Sequence, residues 1–263
     1  MKRNLKFILL LIKLKLSRMM VFRFSFFGAF FADSTLFLIQ LLTFSAIYAH
    51  TDSIGGWGRG QMIIFIGTFS LINALNMWIY FFGVVDIPDL IKRGDLDQYV
   101  TKPINPLFRL TFENMNPGSF LLVIMSIFIV GYGVSEYGIA PSLPLTLGYG
   151  VLVLLMTLLW YDMEIILRTL PFFVISANGI MQLEGHLIIL NFKVPGILYK
   201  GMFKIIFYFI FPYGIMSTVP TQLLSGALTA QGLTHALLIS FAFTLFTFWF
   251  WRLGLKNYKS ASS

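Results

Sequence analysis

The chain has no cysteine among its 263 residues, which excludes disulfides and thiolate metal sites whichever side of a membrane its loops face. Charge is scarce as well. Only 11% of residues are Asp, Glu, Lys or Arg, whereas 57% are hydrophobic and the mean hydropathy is +0.82, a balance far more apolar than that of a soluble domain. No G-x-x-x-x-G-K-[ST] phosphate-binding loop occurs, so the chain is not expected to hydrolyse ATP alone. The three histidines, His50, His186 and His235, stand far apart on different segments, an arrangement that suits interfacial residues better than ligands or bases. What is present in abundance is apolar sequence, and it describes a multi-span, all-α membrane protein.

A net charge of +8 could suggest nucleic acid, but its placement argues against that partner. Seven of the 19 basic residues, Lys2, Arg3, Lys6, Lys13, Lys15, Arg18 and Arg23, precede the first acid, Asp33. Most sit on MKRNLKFILLLIKLKLSRMM, whose apolar run Phe7 to Ile12 is too short to span a bilayer. A signal peptide needs a longer apolar region and a small-residue cleavage site, and neither is evident. Residues 1–23 therefore read as an amphipathic helix on the cytoplasmic face, its lysines reaching anionic headgroups. A basic leader that only fixes orientation is the alternative.

A crossing helix needs about 20 mostly apolar residues. Segments that meet or approach this are Phe24 to Ala49, Gln61 to Val85, Phe112 to Val134, Leu143 to Ile166, Met202 to Val219 and Leu233 to Trp251, six spans in one membrane domain over 24–263. Lys and Arg are retained in short cytoplasmic loops. With the N-terminus inside, the start, the loop after span two (Lys92, Arg93, Lys102, Arg109), the connection between spans four and five (Arg168, Lys193, Lys200, Lys204) and the tail (Arg252, Lys256, Lys259) hold every basic residue except Arg59. Both termini are thus expected in the cytoplasm. Thr169 to Leu190 is apolar but broken by Asn178, Gly179, Gln182, Glu184, Gly185 and His186, and a seventh crossing would put the basic tail outside. It reads as an interfacial or cytoplasmic helix. The uncharged stretch Ser217 to Gly232 reads as an external re-entrant hairpin if protein buries its backbone, and otherwise as an ordinary loop.

Between spans two and three lies a polar island, DIPDLIKRGDLDQYVTKPINPLFR, from Asp86 to Arg109. Its charge density keeps it in water, where another molecule can grip it. Asp89, Asp95, Lys92 and Arg93 offer charge-assisted contacts, and Leu90, Ile91, Leu96 and Tyr99 offer apolar anchors. Pro103 and Pro106 are expected to end any helix there. Within the spans, Asp33 lies about two turns into span one and either faces the interior or pairs with Arg23. Ser70, Asn73, Asn76 and Tyr80 form one polar stripe on span two at near-helical spacing. The stripe suits a translocation path and interhelical hydrogen bonding equally.

The basic start, the six spans, IKRGDLDQYVTKPINPLF after span two, FPYGIMSTVPTQLLSG at the end of span five and the closing WRLGLKNYKSAS together resemble ABC-2 type transporter permeases across nearly the whole chain. The G-D-L-D...K-P...P-L-F loop is the most specific part. That resemblance implies a coupling helix in the first cytoplasmic loop that docks on a separate ABC ATPase subunit, here through Asp89, Lys92, Arg93, Gly94, Asp95, Leu96, Asp97, Tyr99, Lys102 and Pro103. It implies no cofactor in this chain, with ATP and Mg on the partner. It also implies an exporter with two ATPases, a second permease copy or a sister permease, and a bacterial-type cytoplasmic (inner) membrane. Asp33, Ser70, Asn73, Asn76 and Tyr80 are the candidate path residues. A secondary transporter driven by an ion gradient, with Asp33 as its ion site, is the main rival; it would be favoured by broken helices in two matching halves, and no such symmetry is found. A membrane enzyme would need convergent catalytic groups, which the sequence does not show.

Overall fold

The computed structural model describes residues 23–174 and 177–258. The expected amphipathic helix over 1–23 lies almost wholly outside them. Among the described residues the fold is helical: α1 Arg23–Tyr48, α2 Arg59–Ile79, the short α3 Phe81–Val84, α4 Ile87–Arg93, α5 Asp97–Val100, α6 Pro106–Glu113, α7 Phe120–Tyr137, α8 Leu143–Thr169, α9 Asn178–Lys193, α10 Gly201–Ile205, α11 Tyr213–Met216, α12 Thr218–Leu224 and α13 Ala230–Asn257. Five stretches are long and apolar enough to cross a bilayer: Phe30–Tyr48, Arg59–Ile79, Pro117–Tyr137, Leu143–Phe172 and Ala230–Asn257. The pair Gly201–Ile210 and Tyr213–Leu224, bent by 81°, makes a sixth if it is counted as one span.

Local chemistry sets the helix ends. Gly58 donates its N–H to Gln61 Oε1 at 3.1 Å to start α2, and Thr229 Oγ1 accepts from Gly232 N at 3.0 Å to start α13. Gly138, with φ 77°, closes α7 in the left-handed conformation that a residue with a Cβ resists. The third crossing begins later than Phe112, because Asn114–Asn116 interrupt the helix and Pro117 opens a new turn. Pro106 starts a helix rather than ending one. Its missing N–H costs nothing in a first turn, and Asn105 Oδ1 caps Phe108 N at 3.2 Å.

Helix α2 is the axis of the bundle: 72% of its most apolar window is buried, against 17% for α1 and for α13. Lipid tails are as apolar as leucine, so burial of hydrocarbon does not drive helices together there, and close backbone approach matters more. Small residues provide it between α2 and α7. A Cβ added to Gly67 would lie 2.8 Å from Val130 N, one on Gly133 would lie 2.7 Å from Ile64 N, and one on Gly60 would strike Tyr137. A central core of Phe69, Met156, Trp160, Tyr213 and Met216 is flanked by two smaller clusters. One, at the polar island, gathers Ile87, Leu96, Leu110, Ile165 and Trp251; the other, at the opposite end, gathers Phe44, Trp57, Met62 and Phe65.

Two segments carry detail that the sequence does not give. Residues 178–193 form the expected helix, most of its surface exposed, with one face held against the bundle: Glu184 and Asn191 are buried, and the Phe192 ring meets Phe37 at 5.6 Å and Phe69 at 4.9 Å. The start of α9 touches the polar island through Lys92 and Asn178, whereas Ile197 and Leu198 just beyond its end meet Gly55 at the opposite end. The expected fifth span, Met202 to Val219, is broken at Phe211 and Pro212, where Phe211 adopts φ −121°, ψ 80° and Pro212 lacks an N–H to continue the ladder. The turn into the bundle therefore precedes the expected hairpin; Thr218–Leu224 of that stretch is a helix with most of its residues buried.

The α2–α7 contact yields a direct test. Gly133→Ala forces a methyl against the α2 backbone and should destabilise the protein by about 1–3 kcal/mol, read as a lower melting temperature in detergent. Gly131→Ala on the same helix meets nothing within 4 Å and should leave the melting temperature unchanged or slightly raised. Equal effects of the two substitutions would refute the close approach.

Candidate functional site

The polar island folds as a compact cap on one end of the bundle. Pro88 sits in the first turn of α4, Asp89 lies near its positive end, and Lys92 and Arg93 lie near its negative end, each charge complementing the helix dipole. Gly94 then takes φ 77° and reverses the chain, so that Leu96 folds back among Val84, Ile87, Leu107, Leu110, Ile165 and Trp251 with no exposed surface. Leu90 and Ile91 pack half-buried on the same cluster. The island's apolar side thus grips its own bundle. Asp86, Asp89, Lys92, Arg93, Lys102 and Pro103 stand exposed with Val85 and Val100, while Gly94, Asp95, Asp97 and Tyr99 are half-buried.

Arg109 fastens the cap from behind. Its guanidinium lies 4.4 Å above the Tyr99 ring, donates to Gln98 O at 3.1 Å and pairs with Glu113 at 2.9 Å. Burial, with the Glu113 carboxylate adding to it, raises the Tyr99 phenol above its ordinary value and keeps that ring neutral. Beside the cap opens an apolar cavity of ≈ 580 Å³, lined by Tyr80, Pro103, Phe108, Thr111, Tyr161 and Phe248.

One bond ties the cap to α9, and two more join the residues flanking the cap to α8. Lys92 Nζ donates to Asn178 Oδ1 of α9 at 3.5 Å, Tyr80 Oη donates to Thr157 O of α8 at 3.1 Å, and Thr111 and Tyr161 share a hydrogen bond of 2.8 Å. One turn above this junction lies a buried polar cluster. Arg168 Nη1 pairs with Glu184 Oε2 of α9 at 2.9 Å, and Arg168 Nη2 stands 3.8 Å from Glu164 Oε2. Glu164 Oε1 accepts from Trp160 Nε1 at 3.0 Å and from Asn76 Nδ2 at 3.3 Å; Glu184 Oε1 accepts from Tyr213 Oη at 2.9 Å. On the α13 side of α8, Asp162 accepts from Thr244 at 2.6 Å through its carboxylate and from Thr247 at 3.3 Å through its backbone carbonyl.

The polar stripe on α2 is divided by this arrangement. Ser70 and Asn73 bond within their own helix, to Ile66 O at 2.8 Å and Met77 Sδ at 3.7 Å. Asn76 and Tyr80 cross to α8. Asp33, half-exposed on α1, makes no hydrogen bond or ion pair with another described residue, and the side chain of Arg23 lies outside those described. Sequence reasoning passed over Asp162 and Glu164 and took Glu184 only as an interruption of an apolar stretch. The i, i+4 spacing of Glu164 and Arg168 was a usable local signal; Glu184, on another helix, carried none.

The chain matches the family described as ABC-2 family transporter protein over residues 35–262, a stretch that includes the cap, the buried cluster and the bent pair. No curated protein and no solved structure shows a match. With the helical membrane fold and most of the chain covered by one family, the assignment follows: the chain belongs to the ABC-2 transporter family, as a membrane component.

Proposed function

We propose that this chain is the permease subunit of an ATP-driven exporter, with the exposed face of α4 and the loop to Pro103 as the surface on which a separate ABC ATPase docks. One observation carries the reading: the cap is built into the bundle through Leu96 and the Lys92–Asn178 bond, so a push on α4 is passed to α8 and α9 together. ATP and Mg then belong to the partner. Two permeases, this chain twice or with a sister chain, enclose the route; of the α2 stripe only Asn73 keeps exposed surface to face it, since Ser70, Asn76 and Tyr80 are buried within the protomer. A half-exposed carboxylate is costly in lipid, which supports placing Asp33 against the second permease or on that route. Apolar or amphipathic cargo fits a path so poor in charge.

The contacts also support a revised order of crossings. In this reading α9 is the fifth crossing and the bent pair is re-entrant from outside. Gly201 follows Leu198, which lies at the Gly55 end, and Ser225 O accepts from Tyr137 Oη at that same end at 3.4 Å, while Tyr213 between them reaches the buried Glu184. The tail remains cytoplasmic. Of the 19 basic residues, only Arg59, Lys193, Lys200 and Lys204 then face outward. Residues 1–23 complete the proposal as an amphipathic helix on the inner surface of a bacterial-type cytoplasmic membrane.

Three measurements test these assignments. Reversing charge at Asp89 and Arg93 together should leave membrane levels normal but abolish copurification of the ATPase and cargo-stimulated hydrolysis. Unaltered binding in that variant would make the cap a mere connector. Single cysteines at Ser53 and Lys200 should react with an impermeant thiol reagent in intact cells, and one at Ser262 should be protected; protection at Lys200 would restore the bent pair as a full crossing. Asp33→Asn should insert and assemble normally yet transport several-fold more slowly, and a fully active variant would take Asp33 off the route.

A further inference from the structure

The buried cluster does not balance in charge when every group in it is ionised. Two carboxylates, Glu164 and Glu184, share the single guanidinium of Arg168, and all three side chains are at least nine-tenths buried. Fully ionised, they would leave one uncompensated negative charge inside the bundle, the costliest arrangement open to such groups. The hydrogen bonds show which carboxylate is the odd one. Glu184 is saturated at both oxygens by short bonds from Arg168 and Tyr213, each 2.9 Å. Glu164 takes its two donors, Trp160 and Asn76, on Oε1 alone, and its Oε2 has no hydrogen-bond partner among the described residues.

A second orphan stands beside it. Asn76 already gives an N–H of its amide to Glu164 Oε1, yet its own Oδ1 is buried without a donor among the described residues. Two unpaired acceptors on groups already joined by one hydrogen bond are the signature of a missing hydrogen between them. A carboxylic acid and a primary amide close a ring of two parallel hydrogen bonds, N–H to C=O and O–H to C=O, and one proton on Glu164 Oε2 supplies the absent half. It also removes the excess charge, leaving Arg168 and Glu184 as a one-to-one pair.

We propose that Glu164 is a proton-binding site, its Oε2 donating to Asn76 Oδ1 in an acid–amide pair that joins α2 to α8. The titratable or charged groups around it are Arg168, Tyr161 and Asp162 on its own helix, Tyr80 at the end of α2, Glu184 on α9 and Tyr213 on α11; α13 contributes the hydroxyls of Thr244 and Thr247, both directed at Asp162. The charges of α4, packed at the same end of α8, are exposed. Proton occupancy sets the allegiance of Arg168. Its Nε is buried without a partner among the described residues and its Nη2 stands 3.8 Å from Glu164 Oε2, so an ionised Glu164 competes with Glu184 for the guanidinium. Glu184 is the link between α9 and Tyr213 of the bent pair, and that link weakens as the arginine is drawn away.

The test is a change of one atom type. Glu164→Gln reproduces the protonated acid, with an amide N–H in place of the O–H, whereas Glu184→Gln strips Arg168 of its counter-charge. In lipid-reconstituted protein near neutral pH, the infrared difference between wild type and Glu164→Gln should contain a protonated-carboxyl stretch that shifts in D2O. Asn76→Ala should move that band to higher frequency, because the carboxyl loses a donor to its carbonyl oxygen. Glu164→Gln should melt at the wild-type temperature, and Glu184→Gln well below it or not fold at all. Absence of the band, or a Glu164→Gln protein as unstable as Glu184→Gln, would overturn the proposal.

Discussion

The pair of Arg168 with Glu184 is the interaction on which the interior of this bundle depends. It joins α8 to α9 directly, and through Tyr213 it holds the bent pair. Losing one partner of a buried ion pair leaves an uncompensated charge and costs about 3–5 kcal/mol, more than any single apolar contact between lipid-facing helices contributes. Its neighbours on Glu164, Trp160 and Asn76, extend the same network to α2. Four segments that have no hydrophobic reason to prefer one another over lipid are thereby given one arrangement.

In the proposed coupling, this arrangement is what would let the cap act at a distance. The cap has no stability of its own, because α4 and α5 are 7 and 4 residues long and isolated helices of that length do not persist in water. Its order comes from Leu96 and Ile87, which are buried against Ile165 of α8. Ile165 adjoins Glu164 in the chain and lies one turn before Arg168. A displacement of the cap therefore arrives at the polar cluster through packed side chains, without a flexible loop in between to absorb it.

The sequence shows the long apolar helices and the polar island plainly, since both are properties of composition within a window. It does not show how two further segments pack. Residues 178–193 carry Asn178, Glu184, His186 and Asn191 and so read as too polar for the bilayer, but the partners that satisfy Glu184 and Asn191 include Arg168, Tyr213 and Tyr199, residues that no local pattern connects to them. Residues 202–219 read as one apolar span, and hydropathy does not register the 81° bend at Phe211 and Pro212 within it. The candidate site divides the same way: the exposed charges of α4 were visible from their spacing, whereas the inward fold of Leu96 requires the reversal at Gly94 and the core behind it.

Non-helical backbone at membrane depth is tolerated only where protein satisfies its hydrogen bonds, and this condition locates the bent pair. Gly196 N donates to Thr218 Oγ1 at 2.9 Å, and Phe211 N turns back to Ile206 O at 2.8 Å. Gly196 and Gly214 approach so closely that a Cβ on Gly196 would collide with the Gly214 carbonyl oxygen, so neither the Thr218 bond nor the stacking of Tyr199 on Phe207 at 4.4 Å would survive a bulkier residue there. The bend can therefore exist only beside the segment that follows α9. Glu184, the acid that interrupts the apolar run of 178–193, is also the group that holds the bent pair through Tyr213, and the absence of charge from 205–232 is the matching condition on the other side of that contact.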